Sequence, residues 1–358
     1  MTHLSIICET LPRAGTELTR DKPRHRLCPA PADTASSSVA MEPQELVLLV
    51  VAVLCGSASG LPLNNRPIIG ILSQELTDYM KDKFPGNYTS YIAASYVKYV
   101  EEAGARVVPI KINQTESYYE SVIDTVNGVL FPGGAASFSA SGGYADAAWK
   151  LYQRAVSKNN AGDYFPVWGT CLGFELLTYL ATRQHNILTA CDSENVALPL
   201  KFKLGYKNSR LYEDAPKKIL NILASQNVTV NFHHFCVTET NLTAVGMDKD
   251  WNVTAVDSDS EGLEFVSSFE HKLHPFYGVQ FHPEKNSFEW KATKYIPHTA
   301  NAILVQQYFA NFFVKEARKN HHQFPSQDDE EAALIYNYQP TYTGKNDSTF
   351  EQCYFFSD

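Results

Sequence analysis

The sequence predicts an α/β fold, with a layered, mostly parallel sheet and helices on both of its faces. Short apolar runs at 67–72, 105–110 and 128–131 alternate with the longer stretches 91–103 and 145–157, whose apolar residues recur at helical spacing. Parallel neighbours need a long crossover connection, which a helix between two strands provides with right-handed geometry. The alternation therefore predicts parallel strands side by side, with the helices packed over the sheet.

Composition and charge narrow the class of protein. The chain has 358 residues, 44% of them hydrophobic, so it is long enough to bury a large core. It carries 30 basic and 39 acidic side chains, a net charge of −9, and no basic run follows residue 26. Binding to nucleic acid or to an anionic membrane would need a positive patch, so neither partner is expected, whereas a small or polar partner is.

The remaining segments continue the pattern without an internal repeat or a linker, so one catalytic domain is expected over 61–358. Region 190–275 is richer in strand-like runs and less periodic. The acidic, tyrosine-rich tail from Phe324 is expected to run over the surface. The other predicted elements are helices at 117–126 and 300–319 and strands at 166–169 and 277–281.

The first 60 residues differ from the rest of the chain. Residues 1–40 form a basic, Pro- and Ala-containing extension, whereas 41–60 have the short apolar stretch and small-residue end of a secretory signal peptide. The apolar stretch, 46–55, is too short to span a bilayer. Because the residues that follow Met41 are acidic where a signal peptide is usually basic, a buried core helix is the alternative for this stretch.

Acceptor sequons and cysteine usage favour an exported glycoprotein, in the lysosome or secreted. Six Asn-x-Ser/Thr sites follow residue 60, about twice the number expected by chance. The four cysteines in the same region are too few for a disulfide scaffold, and there is no paired metal-ligand spacing, so no structural zinc site is expected. The candidate glycosylation sites are Asn87, Asn113, Asn227, Asn241, Asn252 and Asn346.

Segment 167–177 carries the strongest chemical signal. A buried strand leads into the sequence Gly-Thr-Cys-Leu-Gly (169–173) and then directly into an apolar helix, which is the spacing of a nucleophile elbow with cysteine in place of serine. The glycines allow the tight, strained turn, and the N-terminus of the helix is expected to favour the thiolate of Cys171. A small, buried structural cysteine is the alternative.

A candidate base, His282, follows another predicted strand. Glu284 lies two residues further on, and in an extended segment both side chains face the same way, so the carboxylate is placed to orient the imidazole. His282 would activate Cys171 and later protonate the leaving amine. The turn 131–134 offers a backbone N–H to a developing oxyanion, and Leu172 offers a second.

Several stretches, taken together, resemble the gamma-glutamyl hydrolase family of the class I glutamine amidotransferase-like group. The resemblance covers nearly all of the chain after residue 65. The matching stretches are PIIGIL (67–72), YIAASYVKY (91–99), AGARVVP (103–109), LFPGG (130–134), DYFPVWGTCLGFE (163–175), YGVQFHPEK (277–285), FFVKEARKN (312–320) and ALIYNYQPTYTG (333–344).

The resemblance implies a homodimer that hydrolyses folate polyglutamates without a cofactor. It also assigns roles to particular residues. The implied roles are nucleophile for Cys171, base for His282, partner of the base for Glu284, oxyanion donor for Gly134 and Leu172, and substrate contact for Glu175 and His233.

The two implied substrate contacts have alternatives on the residues alone. Glu175 lies one helical turn after Cys171, where it either binds an α-ammonium group or is simply solvated. In the run 231–236, strand alternation places His233 and Cys236 on opposite faces, which argues against a shared metal ion. We therefore expect His233 near the pocket and Cys236 in a structural position.

The predicted activity is cleavage of γ-glutamyl peptide bonds through a γ-glutamyl thioester on Cys171. A glutaminase subunit that supplies ammonia to a synthase uses the same chemistry, but no synthase domain follows and an exported protein would lack that partner. The alternative from another class is an inactive, secreted binding protein for folate or peptides. The presence of Cys171, His282 and Glu284 together argues against it.

Overall fold

The computed structural model describes residues 62–346 and 348–357. The predicted extension (1–40) and signal peptide (41–60) lie outside the described residues, as does the side chain of Asn346. The strands are β1 (Ile68–Leu72), β2 (Gln74–Glu75), β3 (Ser90–Ala93), β4 (Arg106–Ile110), β5 (Val129–Phe131), β6 (Val167–Thr170), β7 (Thr189–Leu198), β8 (Lys201–Phe202), β9 (Thr229–Cys236), β10 (Trp251–Ser258), β11 (Glu264–His271), β12 (Phe276–Val279), β13 (Thr341–Tyr342) and β14 (Gln352–Phe356).

The helices lie mostly between strands, as the alternation predicts. None of the helices in the described part of the chain is both long and apolar enough to cross a membrane. The helices are α1 (Asp78–Lys83), α2 (Ala94–Glu101), α3 (Glu116–Thr125), α4 (Tyr144–Asn160), α5 (Leu172–Ala181), α6 (Arg210–Glu213), α7 (Lys217–Ser225), α8 (Glu239–Ala244), α9 (Lys285–Phe288), α10 (Ala300–Ala317) and α11 (Gln327–Ala333).

The main sheet has eight strands in the order β4-β1-β5-β6-β12-β11-β10-β8. The first five are parallel to one another, and the last three pair antiparallel at the other edge. The predicted mostly parallel sheet is therefore confirmed. Because β6 and β12 are parallel neighbours, the segments that follow their carboxyl ends start from the same edge of the sheet.

Helices cover both faces of this sheet, also as predicted. Along β1, Ile69 and Ile71 belong to one buried apolar cluster and Ile68 and Leu72 to the other, as expected when successive side chains point to opposite faces. The first cluster includes buried residues of α2, α7 and α10, and the second those of α3, α4 and α5.

Two sequence predictions are wrong about chain ends and boundaries. The segment 91–103 is not helical throughout: its first residues belong to β3, and the helix begins at Ala94. The tail is not only a surface excursion, because β14 pairs with β3 in a second sheet of order β13-β14-β3-β2. Both errors have one cause: the pairing joins segments about 260 residues apart, which local periodicity cannot detect.

Candidate active site

Cys171 occupies a strained turn between β6 and α5. Its backbone has φ 50° and ψ −110°, a conformation that costs a residue with a Cβ about 1 to 3 kcal/mol. A Cβ on Gly173 would overlap the carbonyl oxygen of Phe131, and one on Gly169 would overlap that of Gly173. The predicted elbow and the predicted reason for its glycines are therefore both present.

The thiol of Cys171 is buried, with 5% of the residue exposed. Burial raises the pKa of the thiol well above its usual range, and the carboxylates of Glu175 and Glu284 raise it further. Two groups lower the pKa of the thiol: the Leu172 N–H, which hydrogen-bonds it, and the ammonium of Lys285. Their effect is smaller than the increase that burial and the carboxylates cause. The expected thiolate is thus wrong for the unliganded site, because loss of solvation outweighs the N-terminus of the helix.

His282 and Glu284 form the pair that their spacing predicts. The His282 Nδ1 lies 2.8 Å from the Glu284 Oε1, and both residues are buried. Burial lowers the pKa of His282, and the neighbouring carboxylate opposes this only in part. Burial alone would raise the pKa of Glu284, but His282 and Lys285 bring it below its usual range. The site therefore pairs a buried imidazole, whose pKa is lowered, with a buried carboxylate.

The Cys171 thiol and the His282 imidazole, the predicted nucleophile and base, converge on the turn at Gly133. A Cβ at this glycine would lie 2.8 Å from the His282 Cε1 and 3.1 Å from the Cys171 Cβ. Glycine is needed here because any side chain would enter the space between the two groups. Gln74 holds the same turn by donating to the Pro132 carbonyl over 2.9 Å.

Of the two predicted oxyanion donors, Leu172 contacts the thiol, since its N–H hydrogen-bonds the Cys171 sulfur, and Gly134 lines the same cavity as Cys171. The Gly133 N–H is engaged elsewhere, since it donates to the Tyr96 hydroxyl over 2.8 Å. Among the N–H groups of this turn, that of Gly134 is therefore the candidate, and its role stays a prediction.

Tyr96 is a member of the site that the sequence analysis missed. Its hydroxyl accepts from Gly133 and lies 3.4 Å from the His282 Nδ1, so it connects the oxyanion turn to the base. Burial, with Glu284 and Cys171, raises the pKa of Tyr96 well above its usual value, which keeps the hydroxyl protonated. Its place within the matching stretch 91–99 was the only available signal.

Glu175 is buried beneath the nucleophile and does not line the cavity described below. Its carboxyl oxygen accepts a hydrogen bond from the Gln280 Nε2 over 3.0 Å, and burial raises its pKa to about 8. The alternative of a solvated helix carboxylate is wrong, since the residue is 4% exposed. The proposed contact with the α-ammonium of a substrate stays a prediction.

His233 is also buried away from the cavity lining. Its Nε2 lies 3.2 Å from the Asn231 Oδ1 and its Nδ1 lies 3.0 Å from the Phe235 carbonyl oxygen, and burial lowers its pKa to about 3. The His233 imidazole is therefore neutral, buried and hydrogen-bonded within the protein. The predicted substrate contact at His233 stays a prediction.

The expected separation of His233 and Cys236 is wrong. Cys236 forms a disulfide with Cys191, and the His233 Nδ1 lies 3.5 Å and 3.6 Å from the two sulfurs. The β7–β9 pairing is irregular between Ala190 and Ser193, so strict alternation fails at this end of β9. These three residues are the one metal-like cluster of the described chain, but both of its sulfurs are bonded to each other.

A cavity of about 210 Å³ borders Cys171 and His282. Two lysines line it, Lys285 and Lys294, together with the rings of Phe232 and Phe350 and the carboxylate of Glu194. Lys294 pairs with Glu194 over 2.7 Å. The sequence analysis left the basic pocket residues unassigned, because four of these five groups come from outside the two catalytic motifs.

Comparison with known proteins agrees with this architecture. The peptidase C26 family matches residues 67–284. Gamma-glutamyl hydrolase from Homo sapiens is 44% identical over 319 residues, which cover 87% of this chain and 98% of the human protein. The Rattus norvegicus enzyme is 44% identical over 318 residues, covering 86% and 96%. Gamma-glutamyl hydrolase B from Dictyostelium discoideum is 39% identical over 296 residues, covering 82% and 84%.

The α/β fold and these matches define the class as cysteine peptidases. The chain belongs to the peptidase C26 family, and its similar relatives are gamma-glutamyl hydrolases of animals and of Dictyostelium discoideum. The family resemblance drawn from the sequence motifs is confirmed, and so is the expectation of an enzyme.

Proposed function

We propose that this enzyme hydrolyses the γ-glutamyl peptide bonds of folate polyglutamates through a γ-glutamyl thioester on Cys171. The observation that carries the proposal is the convergence of the thiol and the His282–Glu284 pair on the turn at Gly133, beside a cavity with two lysines. The similarity to gamma-glutamyl hydrolases supports this choice of bond. A substrate with several carboxylates fits a cavity that carries cations.

In the first half of the reaction, the Cys171 sulfur attacks the γ-carbonyl carbon while its proton passes to His282. The nitrogen that receives it is Nε2, since Nδ1 is held by Glu284. The N–H groups of Leu172 and Gly134 stabilise the oxyanion of the tetrahedral intermediate. The C–N bond then breaks, and His282 returns the proton to the leaving amine.

In the second half, water hydrolyses the thioester. His282 takes a proton from the water, the resulting hydroxide adds to the thioester carbonyl, and the C–S bond breaks as Cys171 regains its proton. The raised pKa of the thiol and the lowered pKa of the imidazole both favour the neutral forms in the resting pair.

The proposal is tested by glutamate release from a folate pentaglutamate at acidic pH. Wild type, Cys171→Ala and Cys353→Ala are each expressed from Met41 and checked for folding by circular dichroism. Cys353 is the matched control, because it is the other free, buried cysteine of the described chain. We expect release by wild type and Cys353→Ala, and a loss of at least about 10⁴-fold in Cys171→Ala.

Two outcomes contradict the proposal in different ways. A folded wild-type protein that releases nothing would overturn the hydrolase activity and support an inactive binding protein. Release that survives the Cys171→Ala change would leave the activity in place but assign the nucleophile to another residue.

The location proposed with this activity is the lysosome and the extracellular space, reached as a glycoprotein. Exposure of acceptor sites supports it: Asn87, Asn113 and Asn227 are exposed, whereas Asn252 is half-buried in β10. Glycans are therefore expected on the three exposed sites. Mass spectrometry of peptides from protein secreted by cultured cells tests this, and unmodified asparagine at all three would contradict it.

Asn241 is the sequon least suited to a glycan. Its side-chain nitrogen donates to the Ile187 carbonyl and to the Thr189 hydroxyl, each over 2.8 Å. A glycan on this nitrogen would disrupt both bonds, which connect α8 to the start of β7. The same peptides should show Asn241 unmodified.

A homodimer completes the proposal, as the family resemblance implies. Sedimentation equilibrium of the secreted protein measures the mass directly. A particle of twice the chain mass is expected, and a monomer at micromolar concentration would contradict it.

A further inference from the structure

Lys285 is a buried cation at the cavity. It follows Glu284 directly, only 4% of the residue is exposed, and it lines the same cavity as Cys171 and His282. Its ammonium lies 4.6 Å from the ring centroid of Phe350. Among the hydrogen bonds and ion pairs formed by the described residues, none uses the Lys285 Nζ. A buried ammonium without a carboxylate partner is costly unless a ligand supplies the anion.

The acidic side chains around the Lys285 ammonium are paired with other groups. Glu284 is engaged by His282 over 2.8 Å, and Glu194 is engaged by Lys294 over 2.7 Å. The remaining acidic neighbour, Glu289, is buried and does not line the cavity, and its Oε2 accepts a hydrogen bond from the Glu351 N–H over 2.6 Å. Burial raises the pKa of Glu289, and the charge of Lys285 opposes this only in part. Among the described residues, no carboxylate that lines the cavity is left to pair with Lys285, so the lining is short of one negative charge there.

Aromatic rings fix the position of the ammonium. The Phe232 ring centroid lies 5.5 Å from the Lys285 Nζ and 5.0 Å from the Lys294 Nζ, so this ring is close to both cations. Contact with ring faces holds an ammonium in place without neutralising its charge. Lys294, in contrast, is neutralised by Glu194 and needs no further anion.

We propose that Lys285, held between Phe232 and Phe350, binds the α-carboxylate of a glutamyl residue adjacent to the scissile γ-amide. The inference rests on the proposed function, since it names the group that recognises that substrate. Each internal residue of a γ-linked chain carries one free α-carboxylate and no other charge, which matches a site short of one negative charge. Because Lys285 is next in sequence to Glu284, the carboxylate it binds belongs to a residue beside the reacting bond.

The α-carboxylate bound by Lys285 belongs either to the acyl-side or to the leaving-side residue of the scissile bond. Two substrate analogues distinguish these possibilities. N-acylated γ-glutamyl-γ-glutamate is compared with two analogues, in which the α-carboxylate of the acyl-side or of the leaving-side residue is replaced by a carboxamide. Each is assayed for kcat/KM with wild type, Lys285→Met and Lys285→Arg. Lys207→Met, a change at an exposed lysine outside the cavity, is the matched control.

For wild type we expect a loss of about 10- to 100-fold in kcat/KM for the carboxamide at one of the two positions. Lys285→Met should cleave that carboxamide and its parent at similar rates, while keeping any preference at the other position. Lys285→Arg should retain the preference in part, because it keeps the charge, and Lys207→Met should behave as wild type. Within one variant, the ratio of two substrates cancels a general loss of active enzyme.

The inference is overturned if folded Lys285→Met retains the full wild-type preference at both positions, a result that leaves the proposed function intact. It is also overturned if wild type cleaves the parent and both carboxamides equally well. If wild type cleaves none of the three, the proposed function itself fails. Should Lys285→Met not fold, Lys285→Gln, which retains a polar end at similar length, is assayed in its place.

Discussion

Two regions meet at the cavity and are built in different ways. The catalytic floor, residues 167–175 and 276–284, consists of the parallel neighbours β6 and β12 with the turns that follow them. The cavity wall consists of the two-stranded β7–β9 sheet together with the segments that carry Lys294 and Phe350. In the floor, each reactive group is positioned by the strand and turn that directly precede it in the chain. In the wall, the groups come from separate stretches of chain.

The two regions also differ in how their charged groups are paired. In the floor, charged groups are satisfied internally, as in the 2.8 Å contact between His282 and Glu284. In the wall, ammonium groups lie against rings, and one of them, Lys285 at the border of the two regions, keeps its charge for a ligand. The difference teaches that the groups of the proposed chemical step lie in the floor, whereas the paired and ring-contacting cations of the cavity lie in the wall or at its border.

Glu284→Gln tests the floor and has the largest expected effect. The amide cannot hold the imidazole as the carboxylate does, so kcat should fall on the order of 10² to 10⁴-fold. The acid limb of kcat/KM should also move. In wild type it lies below the usual histidine pKa of 6.5, because burial lowers the pKa of His282. Glu284 opposes that lowering, so its loss should shift the limb to lower pH.

The pH profile separates orientation from simple disruption. Glu331→Gln, at an exposed residue of α11, serves as the control and should leave both the rate and the limb unchanged. A Glu284→Gln enzyme whose limb moves to higher pH, or whose rate matches wild type, would contradict the assigned partnership.

The double change Cys191→Ser and Cys236→Ser tests the wall. The disulfide joins residues 45 positions apart, and its loss should lower the free energy of unfolding by about 2 to 4 kcal/mol. The β7–β9 sheet that it cross-links also carries Glu194 and Phe232, so KM should rise more than kcat falls. Urea denaturation and steady-state kinetics measure the two effects.

Cys353→Ser is the matched control for the double change, since Cys353 is buried but not bonded to another cysteine. If the double variant lost kcat and kept KM, the division between floor and wall would be wrong. An unchanged urea midpoint would show that the bridge contributes nothing to the folded state.

Glu175→Gln has the smallest expected effect and concerns stability. The pKa of Glu175 is raised to about 8 by burial, from an ordinary value of 4.5. Between these values the unfolded chain releases a proton that the folded chain keeps, so stability falls as the pH rises. The variant lacks this loss. Relative to wild type, its free energy of unfolding should be higher by on the order of 1 to 3 kcal/mol at pH 8, with no such difference at pH 4.

Urea denaturation at several pH values measures this gain. Glu213→Gln, at an exposed residue, is the control and should show no pH-dependent difference. A gain that is the same at pH 4 and pH 8 would mean that improved packing, and not titration of Glu175, explains the result.

Much of the floor could be predicted from the sequence. The elbow at Cys171 depends on glycines three or fewer residues away, and the His282–Glu284 contact depends on a spacing of two. The ionisation state of the thiol could not be predicted in the same way. It depends on burial and on Glu284, which is distant in the chain and beside Cys171 only in the fold.

Tyr96 and the disulfide show where sequence reasoning ends. Tyr96 was predicted only as part of a helix, yet its hydroxyl connects Gly133 to His282. Cys236 was assigned to the face opposite His233, but an irregularity in the β7–β9 pairing brings it to the same side. Both cases depend on contacts between different elements, which the residue spacing within one element cannot predict.

By itself, the sequence determined the alternation of strands and helices, the strained turn at Cys171 and the pairing of His282 with Glu284. These features depend on residues close together in the chain, whose backbone preferences act locally. Only the tertiary structure decided that the thiol is neutral, that β14 joins β3, and that Lys285 lies unpaired between two rings. The physical reason is that solvation and charge depend on what surrounds a group in space, and those neighbours are set by packing.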